Sequence, residues 1–242
     1  MSIFGPPQPV WDEWLALAAR QREWEYRPLD PGVGRRFHGF PMNQGGVTRH
    51  VLLGRHDGRH LVAFQYEYDR RERSSVGDGS RLRTHIHAVV ALHLGTPMPG
   101  LSVTPTGRRH GLGILDDVIE GGLTGGVLGG LLDGAVGLAE KGLSPEPGQD
   151  ILVGDPAFDE AFTVRSPSPE FAWDVLTAVI PVLSRWQPMS WRLEGDSMVV
   201  HQRSELTMAH VDAILPFMDA VVDAIPEHVW TRVRAGRPET PR

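Results

Sequence analysis

Apolar residues recur with a period of two in the first third of the chain. Val62, Phe64, Tyr66 and Tyr68 fall on one parity, and Ala63, Gln65 and Glu67 fall between them. Successive side chains of a strand point to opposite faces, so this pattern predicts a strand with one face more buried than the other.

A hairpin is predicted around Asp57-Gly58. The flanking residues 47–56 and 59–68 are rich in apolar side chains, and both central positions of such a two-residue turn require positive φ. A long strand is predicted over 82–94. Polar, Arg-, Ser- and Gly-rich residues 69–81 are predicted to form a loop between the two long strands.

Further strands are predicted where short apolar runs end at turn residues. Arg35–Phe40 is predicted as a short strand before the hairpin, and further strands are predicted over 101–104, 150–153 and 161–165. A second hairpin is expected around Gly195-Asp196.

Helical spacing appears at the start of the chain and in its last third. A first helix is predicted over 9–24, and Ser168-Pro169-Glu170 has the order of cap, first-turn proline and first-turn acid that begins a helix. Pro181 is expected to kink or divide that helix. A last helix is predicted to follow Thr207.

This order of elements predicts an α+β fold, with a largely antiparallel sheet and helices packed on one face. We expect a single domain over 1–235, with 1–106 and 149–235 as alternative subdomains. An irregular Gly-rich insertion occupies 107–148, and 236–242 is expected to form a flexible tail.

Composition limits the partners and the kinds of site that the chain can have. Hydrophobic residues make up 40% of the 242 residues, enough for a sizeable core, and the net charge of -6 gives no general attraction for nucleic acid. The absence of cysteine excludes disulfides, thiolate nucleophiles and cysteine-ligated zinc. The sequence shows neither a signal peptide nor a long apolar span, so a cytoplasmic location is expected.

A family resemblance is carried by Phe158-Asp159-Glu160-Ala161-Phe162-Thr163-Val164, followed by Pro169-Glu170-Phe171-Ala172-Trp173-Asp174-Val175-Leu176. This pattern resembles an actinobacterial protein family of unknown function, and the resemblance covers most of the chain outside 106–148. It implies no activity or cofactor. The chain departs from the family at Thr106, where the pattern has Glu, and in the long insertion that follows.

Two histidines form the first candidate site. His85 and His87 lie two apart on a predicted strand, so both side chains point to the same face. Such a pair can hold zinc if a neighbouring element supplies a third ligand. His38, His50, His56 and His60 are the candidate sources, and local hydrogen bonding of the pair is the alternative interpretation.

Arginines near the predicted loop form the second candidate. Planar guanidinium groups can grip phosphate or an acidic partner, and a solvated loop partly neutralised by nearby acids is the alternative. The arginines concerned are Arg70, Arg71, Arg73, Arg81 and Arg83.

The Gly-rich insertion is the third candidate. Gly122, Gly126 and Gly130 recur at four-residue spacing, which permits close helix contact, and Leu128 and Leu131 add apolar surface. The insertion has neither a Gly-Lys-Ser/Thr ending nor the context of a dinucleotide site. A protein partner, self-association or a membrane surface would suit it, and a flexible segment is the alternative.

These observations favour a non-catalytic interaction or regulatory module without a cofactor. The sequence contains no catalytic signature that we recognise, and association with a protein partner or a second copy through residues 107–148 is expected. The alternatives are a metal-dependent enzyme that uses His85 and His87, and a peripheral membrane protein.

Overall fold

The computed structural model describes residues 10–73, 80–106 and 148–236, which contain six α-helices and nine strands. The helices are α1 (Val10–Gln21), α2 (Pro31–Gly34), α3 (Pro156–Ala161), α4 (Pro169–Leu183), α5 (Met208–Ala224) and α6 (Glu227–Ala235). The strands are β1 (Glu25–Leu29), β2 (Val47–His56), β3 (Arg59–Arg73), β4 (Ser80–His93), β5 (Leu101–Pro105), β6 (Gln149–Ile151), β7 (Phe162–Ser166), β8 (Ser190–Glu194) and β9 (Ser197–Gln202). The predicted α+β class is confirmed.

The chain divides into two compact units, and each unit is built from two separate chain segments. The first unit comprises Met1–Pro97 and Asp196–Val222, and the second comprises Met98–Gly195 and Asp223–Arg242. The division therefore does not follow the sequential subdomains 1–106 and 149–235.

The sheet of the first unit has the order β1-β2-β3-β4-β9, with antiparallel neighbours. Asp57 and Gly58 join β2 to β3 with φ of 46° and 74°, so the predicted hairpin has the positive φ values that its sequence requires.

The predicted loop over 69–81 is wrong for residues 69–73 and 80–81, which belong to strands. Strands β3 and β4 stay paired from Asp69 opposite Thr84 to Arg73 opposite Ser80, and Thr84 Oγ1 donates a hydrogen bond of 2.7 Å to Asp69. Backbone pairing that continues from the apolar part of a hairpin can carry a polar sequence, because the ladder does not need apolar side chains. Residues 74–79 lie outside the described residues.

The predicted strand over Arg35–Phe40 is also wrong, and the short strand β1 (Glu25–Leu29) was not predicted. Residues 35–40 form turns and bends instead, followed by a 3₁₀ turn over Met42–Gln44. Phe37 stacks on Phe64 with ring centroids 5.8 Å apart, so the apolar side chains of this segment cover a sheet face.

Both faces of the first sheet are covered. Residues 35–44 and α2 lie over one face. The core on this face contains Val33, Phe37, Met42, Val51, Phe64, Tyr66, Tyr68, Val89, Ala91 and Val199. The long helix α5 lies over the other face, where His56 of β2 contacts its Asp219 at 2.7 Å. Arg22, the residue after α1, forms an ion pair with Asp212 of α5 at 2.9 Å.

In the second unit the strand order is β8-β5-β7-β6. Helix α4 begins after Ser168, as predicted, and continues through Pro181 to end at Leu183. The core of this unit is apolar and includes Leu101, Val103, Phe158, Val164, Phe171, Val175, Leu176, Val179, Trp191, Leu193 and Val229.

Candidate functional site

A cluster of histidines and aromatic rings lies on the face of the first sheet that α2 and residues 35–44 cover, and we call it the histidine cluster. It consists of Phe40, Tyr68, His85, His87 and His201. Tyr68 stacks on His85 and on His87 with centroids 5.0 and 5.7 Å apart, and Phe40 meets His87 edge-on at 5.2 Å. The predicted pair of histidines is therefore packed among aromatic rings.

Strand register explains this arrangement. Tyr68 of β3 stands opposite His85 of β4, and His201 of β9 stands opposite Val89. Alternation along β4 places His85, His87 and Val89 on one face, so His201 reaches the same face from the neighbouring strand. His87 and His201 have ring centroids 6.0 Å apart.

The imidazole of His87 is held neutral. Only 3% of the residue is exposed, and neither ring nitrogen has a hydrogen-bond partner among the described residues. Burial lowers the pKa of His87 to about 3, and the positive charge of Arg203 and the neighbouring His85 add to this effect. A neutral imidazole offers one donor and one acceptor, and both are orphaned here.

Of the four expected third ligands, three contact other residues of the first unit, and one of these is His60, which lies 3.2 Å from the guanidinium of Arg55. His50 contacts Tyr26 at 3.0 Å and Asp12 at 2.9 Å, and His56 contacts Asp219 on the opposite face of the sheet. The sequence analysis missed His201, since its position beside β4 depends on a pairing between residues more than a hundred positions apart. Metal binding by His85 and His87 stays a prediction.

The candidate arginines lie on the extended β3–β4 hairpin. Arg70 stands directly opposite Arg83, and Arg71 stands opposite Leu82. Arg73 pairs with Ser80, and Arg81 pairs with Glu72, through their backbones. Two guanidinium groups at opposed positions would favour an anion between them, and anion binding stays a prediction.

An apolar cleft opens in the second unit, with a volume of about 320 Å³. Its walls come from β5, α3, β7, and the end of α4 with the residues that follow it. The lining residues are Pro105, Asp155, Ala157, Phe158, Ala161, Phe162, Ile180, Leu183, Ser184, Trp186 and Pro188. Asp155 is the only acidic or basic residue among them.

Helix α3 forms one wall of the cleft, and backbone hydrogen bonds fix its position. The carboxylate of Asp155 accepts from the N–H groups of Ala157 and Phe158, at 2.9 and 3.1 Å, and so caps the helix. At the other end of the helix, the Thr106 hydroxyl donates a hydrogen bond of 2.7 Å to the backbone oxygen of Glu160. The Phe158 and Phe162 rings stack 4.9 Å apart.

Two exposed apolar residues lie elsewhere on the same unit. Leu152 is 77% exposed and Trp173 is 48% exposed, and Trp173 Nε1 donates to Leu152 O at 3.2 Å. Trp173, Thr177 and Ile180 follow one another at helical spacing along α4, and the C-cap residue Ser184 continues the series. The helix face that carries Trp173 therefore leads to the cleft, which Ile180 and Ser184 line.

Three polar side chains lie where the β2–β3 hairpin contacts α5. One donor atom each from His56, Asp57 and Asp219 lies within 4.8 Å of the other two. Among the described residues this is the one set of three or more metal-ligating side chains with this spacing.

The Gly-rich insertion, with Gly122, Gly126, Gly130, Leu128 and Leu131, lies outside the described residues. The strands on either side of it both pair with β7. Pro105, in β5, stands opposite Phe162, and Gln149, in β6, stands opposite Ser166. The insertion therefore leaves the described part of the second unit beside Pro105, which also lines the cleft.

Comparison with solved structures shows a similarity of fold. No protein-family model matches the sequence, and no curated protein matches it. The fold is similar to the crystal structure of the mycobacterial trehalose monomycolate transport factor A, TtfA. The TM-score is 0.55 at 14% identity, over 96% of this chain and 98% of the TtfA chain. At that identity the likeness shows the fold alone.

Membrane-spanning helices were predicted to be absent. Within residues 10–73, 80–106 and 148–236, no helix combines the length and the apolar character needed to cross a bilayer.

Proposed function

We propose that the protein is a non-catalytic interaction module that binds a protein partner through the apolar cleft of its second unit. The observation that carries this proposal is the lining of the cleft. Aromatic, aliphatic and proline side chains dominate it, and its one carboxylate, that of Asp155, is engaged in capping α3. Such a surface offers burial of apolar area and little acid–base chemistry.

The exposed surface of α4 is a further reason to propose a protein as the partner. Trp173 and Leu152 provide apolar area beyond the cleft, and a partly exposed Trp is a frequent anchor in protein interfaces. The structural relative TtfA is described as a transport factor, and a role in association suits that description.

The Gly-rich insertion remains part of this proposal. Within residues 107–148, partner or self-association contacts are assigned to Gly122, Gly126, Gly130, Leu128 and Leu131. The described strands on either side of this segment, β5 and β6, both pair with β7. Membership of the uncharacterised actinobacterial family and a cytoplasmic location also stay proposals.

The test uses Ala157, an exposed residue that lines the cleft. Ala157→Arg places a long cation in the cleft and leaves the capping carboxylate of Asp155 in place. Ala213→Arg, on an exposed position of α5 in the first unit, is the matched control. A photo-crosslinking residue at 157 or at 213 reports which surface touches the partner.

We expect crosslinks in native cells from position 157, with at least tenfold less partner captured by Ala157→Arg than by Ala213→Arg. Equal capture by the two variants would refute cleft binding. Deletion of 107–148 is a separate experiment. We expect it to leave the fold intact and to abolish association, and persistent association would remove the insertion from the proposal.

A further inference from the structure

We propose that His56, Asp57 and Asp219 form a binding site for a divalent first-row metal ion of the zinc class. Their three donor atoms lie within 4.8 Å of one another, and His56 Nε2 lies 2.7 Å from Asp219 Oδ2. An imidazole nitrogen with two carboxylate oxygens is a ligand set that zinc accepts, and three protein ligands leave a coordination position for water.

Ordered elements of the first unit supply all three ligands. His56 is the last residue of β2, and Asp57 is the first residue of the turn to β3, with φ of 46°. Asp219 comes from the middle of α5, which packs over the same face of the sheet. The ligands are therefore held by a hairpin and a helix that already contact each other.

The electrostatics of the group favour a cation. The carboxylates of Asp57 and Asp219 each place an oxygen within 4.8 Å of the other, and His56 is the side chain that contacts Asp219 at 2.7 Å. Two arginines of the hairpin are near the group. Arg55 directs its guanidinium to Gly58 O at 3.1 Å and to His60 at 3.2 Å, and Arg59 stands directly opposite His56 in the strand register. Like charges at this separation oppose each other unless a positive charge lies between them.

One carboxylate oxygen of Asp219 also lacks a partner. Its Oδ1 is buried and has no hydrogen-bond partner among the described residues. A buried carboxylate oxygen without a donor is costly, and a bound cation is one way in which proteins satisfy it. This observation is independent of the spacing of the three ligands.

Two other histidine–aspartate pairs lack the third ligand that the set of His56, Asp57 and Asp219 has. His50 lies 2.9 Å from Asp12, and His93 lies 3.3 Å from Asp196, both within the first unit. Neither pair belongs to a set of three ligands among the described residues. If His56 and Asp219 formed only an ion pair, all three pairs would respond alike to metal.

The choice of metal follows from the imidazole. Mg²⁺ and Ca²⁺ prefer sites built from oxygen ligands, whereas imidazole nitrogen suits Zn²⁺ and its first-row neighbours. We therefore expect Zn²⁺ to bind and Mg²⁺ to compete poorly.

The test is calorimetric titration of Zn²⁺ into tag-free, chelator-treated full-length protein. Asp57→Asn is the decisive variant, because asparagine tolerates the positive φ of this turn and only the negative charge and its ligand oxygen are changed. Asp219→Asn is the second variant. Asp196→Asn, in the pair with His93, is the matched control.

We expect a site for one Zn²⁺ per chain, with affinity at least tenfold weaker in Asp57→Asn and in Asp219→Asn, and unchanged in Asp196→Asn. Zn²⁺ should also raise the melting temperature of the wild type more than that of Asp57→Asn. Equal Zn²⁺ affinity in Asp57→Asn and the wild type, or no saturable binding by the wild type, would overturn the proposal.

Discussion

At the residue scale, the buried imidazole of His87 couples the stability of the first unit to pH. The folded state lowers the pKa of His87 from its ordinary value of 6.5 to about 3. The neutral form is thus favoured by folding. The stabilisation is fully present above pH 6.5 and is lost as the pH falls from 6.5 toward 3.

Replacing His87 by Phe should reduce this acid sensitivity. Between pH 7.5 and pH 5 we expect the wild type to lose about 2 kcal/mol more unfolding free energy than His87→Phe, from about 1.4 kcal/mol per pKa unit. Urea unfolding at the two pH values measures it. His60→Gln, which changes an exposed histidine of β3, should keep the wild-type dependence; identical pH slopes for His87→Phe and wild type would contradict the prediction.

Gly46 is a residue whose missing side chain matters for packing. A Cβ built there would lie 2.1 Å from the backbone oxygen of Glu67 and 2.8 Å from the Cβ of Tyr68, and the strand backbone cannot move aside cheaply. Gly46→Ala should therefore destabilise the protein by about 1–3 kcal/mol.

Chemical denaturation measures this effect, with Gly100→Ala as the control. A Cβ at Gly100 would meet its nearest atom, in Pro167, at an ordinary 3.6 Å. An equal loss of stability in the two variants would show that the close approach at Gly46 is not the cause.

At the element scale, two helix starts in the second unit look alike in sequence and differ in structure. Asp155 and Ser168 both precede a proline at the helix start. The Asp155 carboxylate accepts two backbone hydrogen bonds of α3, whereas the Ser168 side chain makes no capping bond to α4. The sequence could predict where α4 begins, but it could not show which cap is used.

Asp155→Ala should cost about 1 kcal/mol of stability, the usual value of an N-cap side chain. Ser168→Ala should change it by a few tenths, since no capping bond is lost. Thermal unfolding of the two variants gives the comparison. A larger loss for Ser168→Ala than for Asp155→Ala would contradict the assignment of the caps.

At the scale of the whole molecule, the first unit needs a segment from late in the chain. Strand β9 pairs with β4 from Ala88 opposite Gln202 to His93 opposite Ser197, and α5 covers one face of the sheet. A fragment ending at Pro97 lacks both. We expect it to show no cooperative thermal transition by circular dichroism, because the edge of β4 and one apolar face stay exposed.

Rejoining the two segments provides the positive control. The N–H of Leu94 donates to Asp196 O at 2.7 Å, so a short linker can connect Pro97 to Asp196. We expect the joined chain Met1–Pro97 with Asp196–Val222 to unfold cooperatively. A cooperative transition in the fragment Met1–Pro97 alone would refute the assignment of this unit.

The amino-acid sequence determined what depends on near neighbours. The Asp57-Gly58 turn, the alternation in β3 and the start of α4 follow from backbone preferences and periodicity within a few residues. It also determined the α+β class, since these local patterns sum to strands joined by tight turns and flanked by helices.

Tertiary structure alone decided which distant residues meet. Pairing and packing between remote segments bring His201 close to the His85 and His87 strand, Asp219 to His56, and Pro105 and Ile180 to one cleft. Extension of the β3–β4 hairpin through 69–73, and of β4 from Ser80, depended in the same way on a partner strand. Periodicity reports the environment of one segment, whereas a site needs the register between segments, which only the folded chain fixes.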